Sequence, residues 1–184
     1  MNVKPHTRRK WATLGAAAIA LLSIGAAPQK AEGQAPDLSQ LQYLVGDWTI
    51  TGGRMTLYGA SPRGETEITS ELNGRAYFVR DSFTLIGVEG QDLGKNDSVM
   101  LIYQDGTILR ADFSNGRGAL HYRGSISANA KSVVFESEPP QGAATYRFTY
   151  KQESPDTLTW TLEFKRADAA TFGLLQTETL VRKK

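Results

Sequence analysis

From Thr157 to Phe164 the chain alternates without interruption. Leu158, Trp160, Leu162 and Phe164 fall on one side of an extended backbone, and Thr157, Thr159, Thr161 and Glu163 on the other. A period of two with one apolar face specifies a strand half-buried against a core. Tyr146, Phe148 and Tyr150 against Thr145, Arg147 and Thr149 repeat the pattern just upstream. Ser154-Pro155-Asp156 supplies the turn that folds one run back on the other.

The same texture runs through most of the chain. After Gly46, Thr, Val, Tyr, Phe and Ile dominate, broken at short intervals by Gly, Asn, Asp and Pro. Strands are expected near 46–51, 54–58, 64–72, 75–86, 97–103, 106–113, 117–126, 131–138, 144–153 and 156–166, with a further one near 174–182. Asn73-Gly74 and Gln104-Asp105-Gly106 mark tight hairpins. Ahead of them, Leu38, Leu41 and Leu44 share one face of a short helix that Asp37 caps. No helix-length apolar stripe separates the strands, which argues against parallel βαβ units. A meander this long must close or leave long unpaired edges. The expected fold over residues 37–184 is therefore all-β: an antiparallel up-and-down barrel of about ten strands with a short N-terminal helix. A two-sheet sandwich stands second.

The 184 residues carry a formal charge of +2, but it is unevenly placed. Residues 1–33 hold five basic side chains (Lys4, Arg8, Arg9, Lys10 and Lys30) and one acidic, Glu32, which leaves the remainder at −2. The basic excess lies in the leader, so charge gives no reason to expect nucleic acid as a partner. Behind the basic start, Trp11 to Ala27 is apolar through Ala, Leu, Ile and Gly, the layout of a signal peptide. It is short and weakly apolar for a spanning helix, which needs about 20 apolar residues. Residues 1–33 are read as a signal peptide and tether, cut near 25–33, ahead of a retained anchor. The domain is then expected in the periplasm or secreted, with no stable membrane anchor. Thr7-Arg8-Arg9-Lys10-Trp11 resembles a twin-arginine export signal, although Ala12 and Thr13 replace the usual leucine and lysine; an ordinary basic n-region accounts for it equally. The chain has no cysteine. Disulfides, thiolate metal sites, a cysteine nucleophile and a lipoprotein-type anchor are excluded.

At Leu44-Val45-Gly46-Asp47-Trp48 a short helix runs into Gly-x-Trp on the first strand. This resembles the lipocalin-like (calycin) barrels, in particular a bacterial family of uncharacterised members, and more distantly the nitrobindin-type barrels. Glu67 to Arg75, with its Gly74-Arg75 turn, is similar to the early strand pair of that family. Ser154 to Trp160 is similar to its late hairpin, and Thr177 to Arg182 to its final strand. The resemblance covers nearly all of 38–184. It implies a barrel whose tryptophan, Trp48, plugs one end, with Arg182 packed across the ring as a structural partner.

The nitrobindin-type barrels also hold haem through a histidine late in the chain, but Thr171 to Lys184 contains none. The only histidine after the leader, His121, alternates with Leu120 and Tyr122 and is expected to face solvent. No cofactor and no metal are expected, since zinc needs several histidines or thiolates. Gly90 to Lys95 lacks the spacing and the Ser or Thr of a phosphate loop, and no Gly-x-Ser-x-Gly or Ser-x-x-Lys motif is present.

The remaining candidate is the barrel interior. Tyr77, Val79, Asp81, Phe83 and Leu85 share one face of a long strand; Ala76, Phe78, Arg80 and Ser82 share the other. Both faces carry aromatics, so either Asp81 or Arg80 falls among apolar neighbours. Arg110 poses the same question on its strand. An inward Arg80 or Arg110 suits an acidic ligand head; the alternative is that both are outward and solvated. Tyr122, Tyr146, Phe148, Tyr150, Trp160 and Phe164 are expected to line the interior. The candidate ligand-binding residues are Tyr77, Arg80, Asp81, Arg110, Tyr122, Tyr150 and Trp160, with no catalytic residue marked. The function read from this pattern is an exported barrel that takes a small hydrophobic or amphipathic ligand into its lumen. Two alternatives stand beside it: a barrel hydrolase or isomerase using an interior Asp/Arg pair, and a structural or partner-binding envelope protein without a small ligand.

Overall fold

The computed structural model describes residues 35–184; the expected signal peptide and tether at 1–33 lie outside the described residues. A 3₁₀ helix, Leu38–Leu44, opens the domain, with the Asp37 carboxylate accepting from the Ser39 amide as its cap. Ten strands follow: β1 (Gly46–Met55), β2 (Ser61–Glu71), β3 (Ala76–Ile86), β4 (Asp92–Asp105), β5 (Ile108–Ser114), β6 (Ala119–Ser127), β7 (Ser132–Ser137), β8 (Thr145–Ser154), β9 (Thr157–Lys165) and β10 (Gly173–Arg182). Each pairs antiparallel with its sequence neighbours, and β1 also pairs with β10. The sheet thus closes on itself as a lipocalin-like barrel and leaves no open edge.

The expected separate strand at 54–58 does not form. The chain continues in β1 to Met55, then turns through Thr56–Gly59 and meets itself in a Met55–Ala60 bridge. Gly52-Gly53 reads as a break in sequence but acts as a bulge: the register against β10 shifts between Ile50 and Gly52. Gly53 has φ 141°, and a Cβ there would meet the Thr177 carbonyl at 2.2 Å. β4 is longer than the expected 97–103, because Asp92 to Asn96 pair with the end of β3 where few apolar side chains mark the strand.

Strand direction fixes two unlike ends. One gathers the tight turns after β2, β4, β6 and β8 together with the 3₁₀ helix. Here Leu38, Leu41 and Leu44 are buried over Trp48, Tyr77 and Leu158. The Trp48 indole N–H donates to the Leu44 carbonyl at 2.8 Å, and the Tyr77 hydroxyl to the Leu38 carbonyl at 2.8 Å. The Arg182 guanidinium lies 4.1 Å from the Trp48 ring centroid and donates to the carbonyls of Val45 and Tyr43. This end is plugged. The opposite end carries the turns after β1, β3, β5, β7 and β9.

Candidate functional site

Above the Trp48 floor the inner side chains no longer fill the barrel. A cavity of about 400 Å³ remains, running from Leu180 toward the unplugged end, where Met55, Phe113 and Asn115 line it. That volume is in the range of small-molecule sites. Part of its wall is made of small polar residues, Thr66 on β2 and Ser98 on β4.

One wall is aromatic. Inward alternation on β6, β8 and β9 brings Tyr122, Tyr146, Phe148, Tyr150, Trp160 and Leu162 onto the cavity. Phe148 is the hinge of the packing: its ring centroid is 4.8 Å from both Tyr122, edge to face, and Phe135, stacked, and 6.0 Å from Tyr150. Phe164, expected to line the interior, sits at the end of β9 against Tyr146 and does not reach the cavity.

The facing wall is polar and acidic. Asp81 on β3 points inward and accepts from the Thr66 hydroxyl at 2.7 Å and the Ser98 hydroxyl at 3.3 Å. Glu178 on β10 is 5% exposed and accepts from the Gln176 amide at 2.5 Å. Around the barrel β2 and β1 lie between these strands, with Thr66 of β2 beside Asp81 and Gly53 of β1 beside Glu178. Burial pushes the Asp81 carboxyl up to about 6 against the pull of its two hydroxyl donors. Burial, reinforced by the Asp81 charge, pushes Glu178 up to about 8. Tyr150 is raised well above the usual phenol range by burial and by the two carboxylates. Among the described residues, no lysine or arginine side chain lines the cavity.

The sequence-derived candidates therefore separate. Asp81, Tyr122, Tyr150 and Trp160 converge on the cavity. Tyr77 does not: it lies near the start of β3, fully buried beneath the 3₁₀ helix, where its hydroxyl serves the plug. Arg80 is on the outer face, 60% exposed and paired with Glu67 across β2 at 2.9 Å. Arg110 also points outward, because Leu109 and Ala111 take the inner positions; it pairs with Glu138 and lies 3.8 Å from Asp105. An inward arginine for an acidic ligand head is thus corrected, and so is an interior Asp/Arg catalytic pair. The physical reason is that each arginine finds a surface carboxylate without leaving water. His121 is outside as well, 70% exposed, with its ring nitrogen 2.7 Å from Asp112.

Thr66, Ser98, Gln176 and Glu178 are among the cavity residues that the sequence did not single out, as are Met55, Asn96, Met100 and Asn115. For Glu178 a signal existed, since it shares parity with Leu180 on β10, whereas the β-formers Thr177, Thr179 and Val181 on the other face obscured it.

No family model matches the sequence, and no curated protein matches it. Among solved structures, the chain is similar to an S-type phycobiliprotein lyase from Guillardia theta. The TM-score is 0.51 at 14% identity, covering 79% of this chain and 92% of that one. A de novo designed fluorescence-activating β-barrel matches with TM-score 0.40 at 17% identity, over 78% of this chain and 96% of the design. What the chain shares with the lyase at this identity is the fold, a closed lipocalin-like antiparallel barrel.

Proposed function

We propose that this protein is an exported barrel that binds a small, largely apolar ligand in its lumen. The observation that carries the reading is the cavity: about 400 Å³, plugged at the Trp48 end, with an aromatic wall that no side chain fills. A packed barrel of this fold needs no such space, and an empty one forfeits the contacts its lining would otherwise make. Exposed Leu57, Tyr58 and Val88 on the turns of the unplugged end give an apolar approach to it. Export rests on the basic and apolar layout of residues 1–27.

Native mass spectrometry of the protein purified from its own host tests the reading. A small-molecule adduct that is lost when Leu162→Trp fills the lumen is the expected result. Ligand-free protein that also fails to bind an environment-sensitive apolar dye would overturn it.

A further inference from the structure

We propose that the lumen selects a ligand carrying a positively charged N–H group, with Glu178 and Asp81 receiving that group and the aromatic wall receiving the apolar body. This rests on the lumen being a ligand site.

Four observations converge. First, two acids from different strands, β3 and β10, line one cavity, with Thr66 of β2 and Gly53 of β1 on the strands between them. Second, no cation of the chain answers them among the described residues, since Arg80 and Arg110 are turned outward onto Glu67 and Glu138. An uncompensated buried carboxylate is costly, and chains keep one where a partner arrives from outside. Third, the hydrogen bonding is incomplete in one place. Thr66 and Ser98 serve both Asp81 oxygens, but Gln176 serves only Oε1 of Glu178. Oε2 of Glu178 and the Tyr150 hydroxyl, on side chains 5% and 2% exposed, have no hydrogen-bond partner among the described residues. Both side chains line the cavity. Fourth, the rings of Tyr122, Phe148, Tyr150 and Trp160 on the facing wall favour a cation over an anion.

The groups facing Glu178 are Asp81 from β3, Thr66 from β2, Ser98 from β4, Tyr150 from β8 and Gln176 beside it on β10. None of them carries positive charge. An ammonium or amidinium head entering this wall supplies donors to Glu178 Oε2 and Tyr150, and its charge holds both carboxyls ionised. A carboxylate or sulfonate head meets two acids and is rejected.

The test uses three probes of nearly equal shape: 1-naphthylmethylamine, protonated at neutral pH, the neutral 1-naphthylmethanol and the anionic 1-naphthoate. Affinities are measured by calorimetry at pH 7.5. The amine is expected to bind at least about tenfold more tightly than the alcohol, with naphthoate weakest, as a charge-assisted hydrogen bond requires. Glu178→Gln is expected to erase that preference, so that the amine and the alcohol bind the variant with equal affinity. Equal binding of amine and alcohol, or tightest binding of naphthoate, overturns the charge assignment and leaves the ligand-binding barrel standing. Failure of all three probes removes the lumen reading and this inference with it. The wild-type series decides the matter even where the variant fails to fold.

Discussion

Arg182 and Trp48 are a cross-strand pair on β10 and β1: their Cα atoms face each other in the ladder, and the guanidinium lies over the indole at 4.1 Å. The same guanidinium reaches past the ring to Val45 at 2.6 Å and Tyr43 at 3.3 Å. It thereby satisfies the last carbonyls of the 3₁₀ helix and fastens the plug to the strand that closes the barrel.

Removing that fastening has a definite cost. Arg182→Ala is expected to lower stability by about 2–4 kcal/mol, combining a cation–π contact with charged hydrogen bonds. Arg182→Lys restores little, because one ammonium cannot span both carbonyls in the plane of a ring. Urea unfolding measures both; a loss under about 1 kcal/mol for the alanine variant would mean the end is held by the leucines alone.

Gly46 is the space in which Arg182 lies. Its φ is 141°, a region other residues rarely adopt, and a Cβ there would come within 2.2 Å of the Arg182 guanidinium. Gly46→Ala is expected to destabilise by about 2 kcal/mol or more. In a double-mutant cycle with Arg182→Ala, part of that cost disappears, since the clash is removed and the backbone strain remains. Strict additivity would place the whole effect in the backbone.

The Gly-x-Trp spacing, the late arginine and the strand rhythm were legible because each repeats a local rule: period two, turn residues, a glycine ahead of a bulky ring. The inner face of β3 was not, since Phe78 and Tyr77 put an aromatic on each side. Register settles it. Counting back from the Asn73-Gly74 turn sets Glu71 opposite Ala76, hence Glu67 opposite Arg80 and Thr66 opposite Asp81. A charge pair on one face and a hydroxyl–carboxylate pair on the other then separate outside from inside. The acid pair itself was illegible for a different reason. Asp81 and Glu178 lie far apart in sequence and meet only because β1 closes the barrel between β2 and β10.

That pair makes stability depend on pH in an unusual direction. Both carboxyls are raised above their ordinary values, to about 6 for Asp81 and about 8 for Glu178. The folded state then binds more protons than the unfolded one between about pH 4 and 8, so stability falls as pH rises through that window. Thermal unfolding of the ligand-free protein is expected to show a Tm higher at pH 5.5 than at pH 9, by an amount on the order of a few kcal/mol in free energy. Glu178→Gln flattens the profile above pH 6. A Tm that rises from pH 5.5 to 9 contradicts the burial of these acids.

Arg80, by contrast, belongs to the surface. Arg80→Ala is expected to change stability by less than about 1 kcal/mol and probe binding not at all, as for exposed ion pairs generally. A large loss of binding in this variant would place the arginine in the site.

Occupation of the lumen by the ligand is reported directly by the tryptophans. Of the three in the chain, Trp160 lines the cavity, Trp48 lies fully buried in the plug, and Trp11 is outside the described residues. With ¹⁵N-labelled indoles, titration with 1-naphthylmethylamine is predicted to move the Trp160 N–H resonance and leave that of Trp48, held on the Leu44 carbonyl, in place. A saturating titration in which Trp160 stays fixed would contradict a ligand in the lumen.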